Sequence, residues 1–309
     1  MKRVNIGGQA VIEGVMMKNG DDYAVAIRKP DQEIIIDKKQ YVSFTKRHKL
    51  LNLPIFRGMV AFVESMVIGM KILTYSAEFF EVEEEQGKFE KKLEDKYGKK
   101  KMDGFFIGLA VVLAMLFSVG LFILLPLFIS QLLKPVLPNA RMVNLVDGLM
   151  RVVILLVYMA VIRLMNDIKR VFQYHGAEHK TINCLEHEEE LTVENVRKHS
   201  RYHKRCGTSF IFLVVLISVG VLTLFNVDTF LLRLGVRLLL LPFIAGLSYE
   251  VIKLLGRTDN KISMFFSKPG MWLQQLTTIE PDDDQIEVAI ASVNAVLPKE
   301  DTDEDTRTA

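Results

Sequence analysis

Five of the six histidines of this chain fall between His175 and His203, and the densest part of that cluster is Tyr174-His175-Gly176-Ala177-Glu178-His179. On a helix, His175 and His179 stand one turn apart on the same face, so two imidazoles can reach one cation. Glu178 lies beside them and could serve as general base toward water. The H-x-x-E-H order is that of the inverted zincins, so zinc or another divalent metal is the expected cofactor. A basic loop with solvated polar side chains is the plainer account of the same residues, and Gly176 weakens a helix there.

A catalytic zinc ordinarily takes a third protein ligand and keeps one position open. Two residues could supply it. Glu250, in Ser248-Tyr249-Glu250, would sit at the end of an apolar helix, where it could instead pair with Lys253 or Arg257. His203, in His203-Lys204-Arg205-Cys206, is the other; with Cys206 it would close a tetrahedron suited to a structural site. His187 and His199 sit among charges and read as solvated. The segment Gly7 to Met17 is also unusual. Its paired glycines permit close backbone approach, and Glu13 is a lone acid in an apolar run. Its spacing is not that of a dinucleotide loop or a P-loop, and the chain carries no Ser-His-Asp signature and no paired-cysteine zinc motif.

These residues must be positioned by a membrane-embedded framework. Half of the 309 residues are apolar, and they come in unbroken blocks: no charge interrupts Gly104 to Leu133 or Gly207 to Val227. About 20 apolar residues cross a hydrocarbon core of about 30 Å. Four spans are expected, at about Phe105–Ile129, Val143–Met165, Thr208–Phe225 and Arg233–Ile252, the last two joined by the short turn Asn226–Phe230. Asp147 and Arg151 make an i,i+4 pair inside the second span. With Asp228, Arg233 and Arg237 they would lie near one membrane surface, as an interhelical salt-bridge cluster or, less simply, a transport path. No broken helix with matching halves supports a transporter.

The fold class expected is mainly α, a polytopic membrane helix bundle with a small N-terminal α+β cytoplasmic lobe. That lobe covers residues 1–57, with a hairpin of Tyr23–Arg28 and Glu33–Asp37 around Lys29-Pro30-Asp31-Gln32. Residues 58–80 form an apolar helix broken by Glu64 and Lys71, interfacial or re-entrant. Residues 81–103 are a cytoplasmic linker in which 15 of 23 residues are charged. The first two spans occupy 104–165, a His-rich loop 166–207, the other two spans 208–256, and a tail 257–309. In the tail, Ile286, Ile290, Val293 and Leu297 share a face of a docked helix, and the last dozen residues read as disordered.

The formal net charge is only +2, so charge distribution matters more than its total. The loop from Asn166 to Cys206 is rich in Lys and Arg, and the intervening loops are poor in them, which puts the large loop and both termini in the cytoplasm. Cys184 and Cys206 would then stay reduced and form no structural disulfide. No secretory signal follows Met1-Lys2-Arg3, so the first span serves as its own insertion signal. The bilayer and a cytoplasmic protein are the expected partners; a nucleic acid is not.

Five segments in order, GGQAVIEGVMM (7–17), YHGAEHKTINC (174–184), RCGTSF (205–210), AGLSYE (245–250) and TTIEPDDDQIEVAI (277–290), resemble the YqhQ family of bacterial membrane proteins, which carry a domain of unknown function. The resemblance runs from about residue 3 to 292, with one departure at Ile279, where the family pattern has a basic residue. It implies a bacterial source, a membrane location and the family's label of metal-dependent enzyme; it names no substrate. Two functions follow: a metal-dependent hydrolase at the cytoplasmic membrane face, cleaving a peptide bond or a lipid-linked ester, or a non-enzymatic scaffold or assembly factor.

Overall fold

The structure is a computed structural model that describes residues 6–80, 99–225, 229–257 and 260–298. It opens with a four-stranded antiparallel meander, β1 (Ile6–Val11), β2 (Gly14–Asn19), β3 (Asp22–Arg28) and β4 (Ile34–Gln40), in the order β1-β2-β3-β4. The expected hairpin is its β3–β4 half. The Gly7–Met17 segment, read as a glycine-rich stretch, is a second hairpin whose register runs from Ile6 opposite Asn19 to Val11 opposite Gly14.

The sheet is covered on both faces, because successive residues of a strand point to opposite sides. Val15, Met17, Ala24 and Ala26 face one core, and Val11, Met16, Val25 and Ile27 face the other. The first core is closed by three helices: α6 (Asn166–Glu186), the short α7 (Val193–Lys198) and α11 (Asp283–Val296). The second is closed by α2 (Phe56–Ala77), which contributes Ile72 and packs Ile68 and Tyr75 against it. The short α1 (Phe44–Arg47) precedes α2, and its Ser43 Oγ and Phe44 N–H donate to the carboxylate of Glu64 on α2, at 2.8 and 2.7 Å. Glu64 is thus a buried anchor for a helix start.

The expected tail helix is α11. Asp282 caps it with Gln285 in a reciprocal capping box, and Ile286, Ala289 and Val293 are fully buried. Of the last dozen residues, expected to be disordered, all but Pro298 lie outside the described residues, as does most of the 81–103 linker.

Three helical stretches are long and apolar enough to cross a membrane: Gly104–Val136, Arg141–Ile162 and Phe230–Leu255. The first joins α3 (Lys99–Val119) to α4 (Leu125–Leu133) through a π-helical turn at Gly120–Leu124, just before Pro126, whose nitrogen has no hydrogen to donate. The others are α5 (Ala140–Ile162) and α9 (Phe230–Leu255). A fourth apolar helix, α8 (Gly207–Thr223), is shorter, and α2 is not among the spans. Helix α10 (Lys261–Thr277), which was not expected, packs against α8, with Gly270 fitted onto Ser209.

Inside the bundle, Asp147 of α5 is 2% exposed and accepts from Arg237 of α9 at 2.8 Å, with Arg151 Nη2 at 3.3 Å. These charges therefore tie α5 to α9, the interhelical ion pairing that the sequence leads one to expect. Asp228 lies outside the described residues.

Candidate metal centre

The helix α6 runs unbroken through the His-Glu-His segment, and nearly every residue of Tyr174–Cys184 has a distinct job. Gly176 does not break the helix, because a strap of backbone crosses it. The Ile279 carbonyl oxygen lies 2.1 Å from where a Cβ at position 176 would stand, and Ile279 N–H donates to the Phe172 carbonyl at 2.9 Å. The strap acts through backbone groups, so a hydrophobic side chain at position 279 is compatible with it.

The two imidazoles share a face, with ring centroids 4.4 Å apart. Their Nδ1 atoms are both taken by backbone: His175 donates to the Thr277 carbonyl at 2.8 Å, and His179 to the Arg201 carbonyl at 2.6 Å. This keeps a proton on each Nδ1, so that each Nε2, once it gives up its own proton, would turn a lone pair toward a cation, the arrangement usual for metal-bound histidines. A third candidate donor is Cys206, whose Sγ lies 3.1 Å from His175 Nε2. Ligand atoms of His175, His179 and Cys206 all fall within 4.8 Å of one another. Cys206 caps the N-terminus of α8, accepting from Thr208 N–H at 3.4 Å. Burial alone would raise its thiol pKa, but the charges of His175 and His179 outweigh that and hold it well below the ordinary value. For His175 burial works in the opposite sense and is likewise outweighed by Cys206, Glu178 and the Thr277 carbonyl, so its pKa is raised.

Glu178 Oε2 is 3.8 Å from His175 Nε2. Its carboxylate lies against Gly8: a Cβ at position 8 would fall 2.7 Å from Glu178 Cγ and 2.8 Å from its Oε1. Gly8 of the paired glycines is thereby explained by its contact with Glu178, whereas a Cβ at Gly7 would meet nothing within 4 Å among the described residues. Glu13, at φ 49° in the β1–β2 turn, makes an ion pair with Arg170 and accepts from Tyr174 at 3.2 Å. It ties the hairpin to α6 one helical step before the histidines, rather than entering the site.

Of the two further ligands expected from the sequence, Glu250 is paired on another element and His203 stands beside the centre. Glu250 is engaged by Arg57 of α2 through a two-pronged ion pair in which Arg57 Nε donates at 2.6 Å. This partner is neither Lys253 nor Arg257, and it locks α2 to α9 where Gly58 and Gly246 let the backbones meet. His203 lies next to the centre, its ring 5.8 Å from that of His179, but its Nε2 faces Glu186 Oε2 at 3.4 Å. Its backbone is held by Gln274 of α10, which accepts from His203 N–H at 2.8 Å and donates to the His203 carbonyl at 2.7 Å. His199 is not solvated as expected, its side chain being 11% exposed, whereas His187 is exposed. Both cysteines are free thiols.

The other polar residues of the motif clamp the loop that brings Cys206 back. Lys180 donates to the Arg197 and His199 carbonyls, both at 2.9 Å, and Asn183 to those of Ser200 and Tyr202 at 2.6 and 3.1 Å. The centre opens on a cleft of about 840 Å³ lined by Gly7, Gly8, Lys18, Glu64, Glu178, Thr208, Tyr249 and Lys253. Its floor is the start of α8 and the end of α9, so it opens where the polar lobe meets the apolar helices.

The family whose pattern matches residues 53–299 is described as a protein of unknown function, DUF1385. The chain is 38% identical to the uncharacterized protein YqhQ of Bacillus subtilis (strain 168) over 294 residues, covering 94% of this chain and 92% of that protein. No solved structure matches. With a family match over most of its length and a relative this similar, the chain belongs to the YqhQ family, defined by the DUF1385 domain of unknown function.

Proposed function

We propose that this protein is a divalent-metal-dependent hydrolase of the bacterial inner membrane, working at the cytoplasmic face on a lipid-linked ester or a peptide bond. One observation carries the reading: two histidines one helical turn apart, each with Nδ1 spent on a backbone carbonyl, converge with the sulfur of Cys206. Three protein donors of Cys/His type suit zinc and leave a fourth position for substrate or water. A zinc ion held there supplies Lewis acidity, making water a usable nucleophile near neutral pH. Glu178 would take the proton released by water and pass it to the leaving group, a role its distance from His175 allows. Gly8 keeps that carboxylate within reach by leaving it room.

The membrane setting follows from the apolar helices, with α8 counted as a fourth span, and from the excess of Lys and Arg in the 166–206 loop, which favours the cytoplasmic side for the lobe. Helix α2 exposes Val63, Met66, Val67 and Met70, and α10 exposes Ile262, Phe265, Phe266 and Trp272. These two apolar faces would lie on the bilayer beside the cleft, giving a substrate with an acyl chain a direct way in. Lys18 and Lys253 in the cleft wall favour an anionic head group.

The test is zinc per chain in detergent-purified protein, together with hydrolysis of a medium-chain p-nitrophenyl ester in mixed micelles. Loss of zinc in His175→Ala, His179→Ala and Cys206→Ala, with zinc kept but hydrolysis lost in Glu178→Gln, is the expected result. A wild-type protein that retains no divalent ion overturns the reading. A second reading is favoured by the nearness of His203: a closed, four-donor structural site stiffening a scaffold for a cytoplasmic protein partner. It predicts zinc loss in His203→Ala as well.

A further inference from the structure

The structure holds a second group of metal-type donors, distinct from the first. At the end of α6 the chain turns back through Glu188, and Cys184, Glu189 and His199 bring a sulfur, a carboxylate oxygen and an imidazole nitrogen within 4.8 Å of one another. Cys184 is fully buried and makes only long sulfur contacts, 3.9 and 3.7 Å, to the carbonyls of Glu189 and Glu190. His199 Nε2 is shielded from solvent and makes no hydrogen bond among the described residues, although Glu189 Oε2 is 3.3 Å away. Facing a carboxylate oxygen without hydrogen-bond geometry, that nitrogen is placed to share a cation with it. The fourth corner is at hand. The ring of His187 lies 4.7 Å from that of His199, and its Nδ1 donates to the Asn183 carbonyl at 2.7 Å, leaving Nε2 free to bind a cation.

We propose that Cys184, Glu189 and His199, with His187 completing the set, form a second divalent-cation site whose role is structural. Sulfur and imidazole donors select zinc over magnesium or calcium. Donors 2.0–2.3 Å from a tetrahedral zinc lie about 3.3–3.8 Å apart, so the 3.3 Å edge between Glu189 and His199 is already at that spacing. The other two edges of the triad are no longer than 4.8 Å, and the exposed side chains of Glu189 and His187 are free to turn toward the sulfur and the His199 ring. A cation here staples the end of α6 to the residue that ends α7. The chain leaves that staple directly into Arg201, whose carbonyl orients His179, and then into Cys206. The second site would thus brace the loop that completes the first.

The inference does not depend on the catalytic reading, and one experiment separates them. Full-length protein purified in detergent is loaded with zinc, washed and assayed for zinc per chain, then reloaded with cobalt(II) to read the thiolate-to-metal absorption. Wild type is expected to hold two zinc ions, Cys184→Ser and His175→Ala one each, and the double variant none. Each single variant should halve the cobalt band, because each site has one thiolate. Should Cys184→Ser fold poorly, His199→Gln replaces only a partly exposed ring and must also lose one ion. Unchanged zinc and an unchanged cobalt band in both Cys184→Ser and His199→Gln overturn the second site. One ion in wild type that survives His175→Ala but not His199→Gln upholds it and removes the first.

Discussion

Replacing Gly176 by alanine tests the packing that shapes the candidate metal centre, and helix propensity and tertiary structure predict opposite signs for it. Alanine is preferred over glycine in a helix interior by about 1 kcal/mol, so on α6 alone Gly176→Ala would stabilise. In the structure the new methyl would lie 2.1 Å from the Ile279 carbonyl oxygen. Backbone, not a flexible side-chain end, must give way, by about 1 Å to restore van der Waals separation. Such overpacking costs about 1–3 kcal/mol. Withdrawal also stretches the 2.9 Å bond from Ile279 N–H to the Phe172 carbonyl, worth about 0.5–1.5 kcal/mol. The net effect is a loss of about 1–3 kcal/mol. At about 2–4 °C per kcal/mol for a domain of 150–250 residues, the midpoint of thermal unfolding in detergent should fall by about 2–12 °C. The same strap carries the Thr277 carbonyl that orients His175, so zinc affinity should fall by about 10- to 100-fold. A midpoint equal to or above wild type, with zinc affinity unchanged, would refute the seating of residues 277–281 on α6.

Gly8→Ala places its methyl against the movable ends of Glu178 and Met17, so the fold and the bound zinc should survive while ester hydrolysis drops by about 100-fold, the usual effect of a 1 Å misplacement. Glu250→Ala breaks the pair with Arg57, each partner about a quarter exposed, and should cost about 1 kcal/mol with no change in zinc per chain. Zinc loss in that variant would restore Glu250 as a ligand. Asp147→Asn leaves Arg151 and Arg237 buried without their shared carboxylate and should destabilise by about 3–5 kcal/mol, read as loss of monodisperse protein on size-exclusion chromatography.

The hairpin β1–β2 escaped the sequence reading for a physical reason. Two-residue hairpin turns are normally marked by Asn-Gly or Asp-Gly, yet here Ile12-Glu13 occupies the turn. Glu13 takes a left-handed conformation because Arg170 and Tyr174, far along the chain, hold its carboxylate. Helix α10 escaped because its apolar residues are interrupted by Pro269 and Gly270, and Gly270 is explained only by the Ser209 packed on it.

The sequence alone determined what is local. Unbroken apolar blocks mark helices able to cross a bilayer, because hydrogen bonding along the backbone and transfer to lipid are decided residue by residue. The spacing of His175 and His179 put both rings on one face, because the helical repeat does not depend on neighbours. Which further donor stands nearest the two histidines was decided by tertiary structure. Cys206, His203 and Glu250 have the right chemistry, and only the carbonyl clamps of Lys180, Asn183 and Gln274 and the pairing of Glu250 with Arg57 determine which comes within reach. Those contacts join residues far apart in the chain, and no periodicity records them.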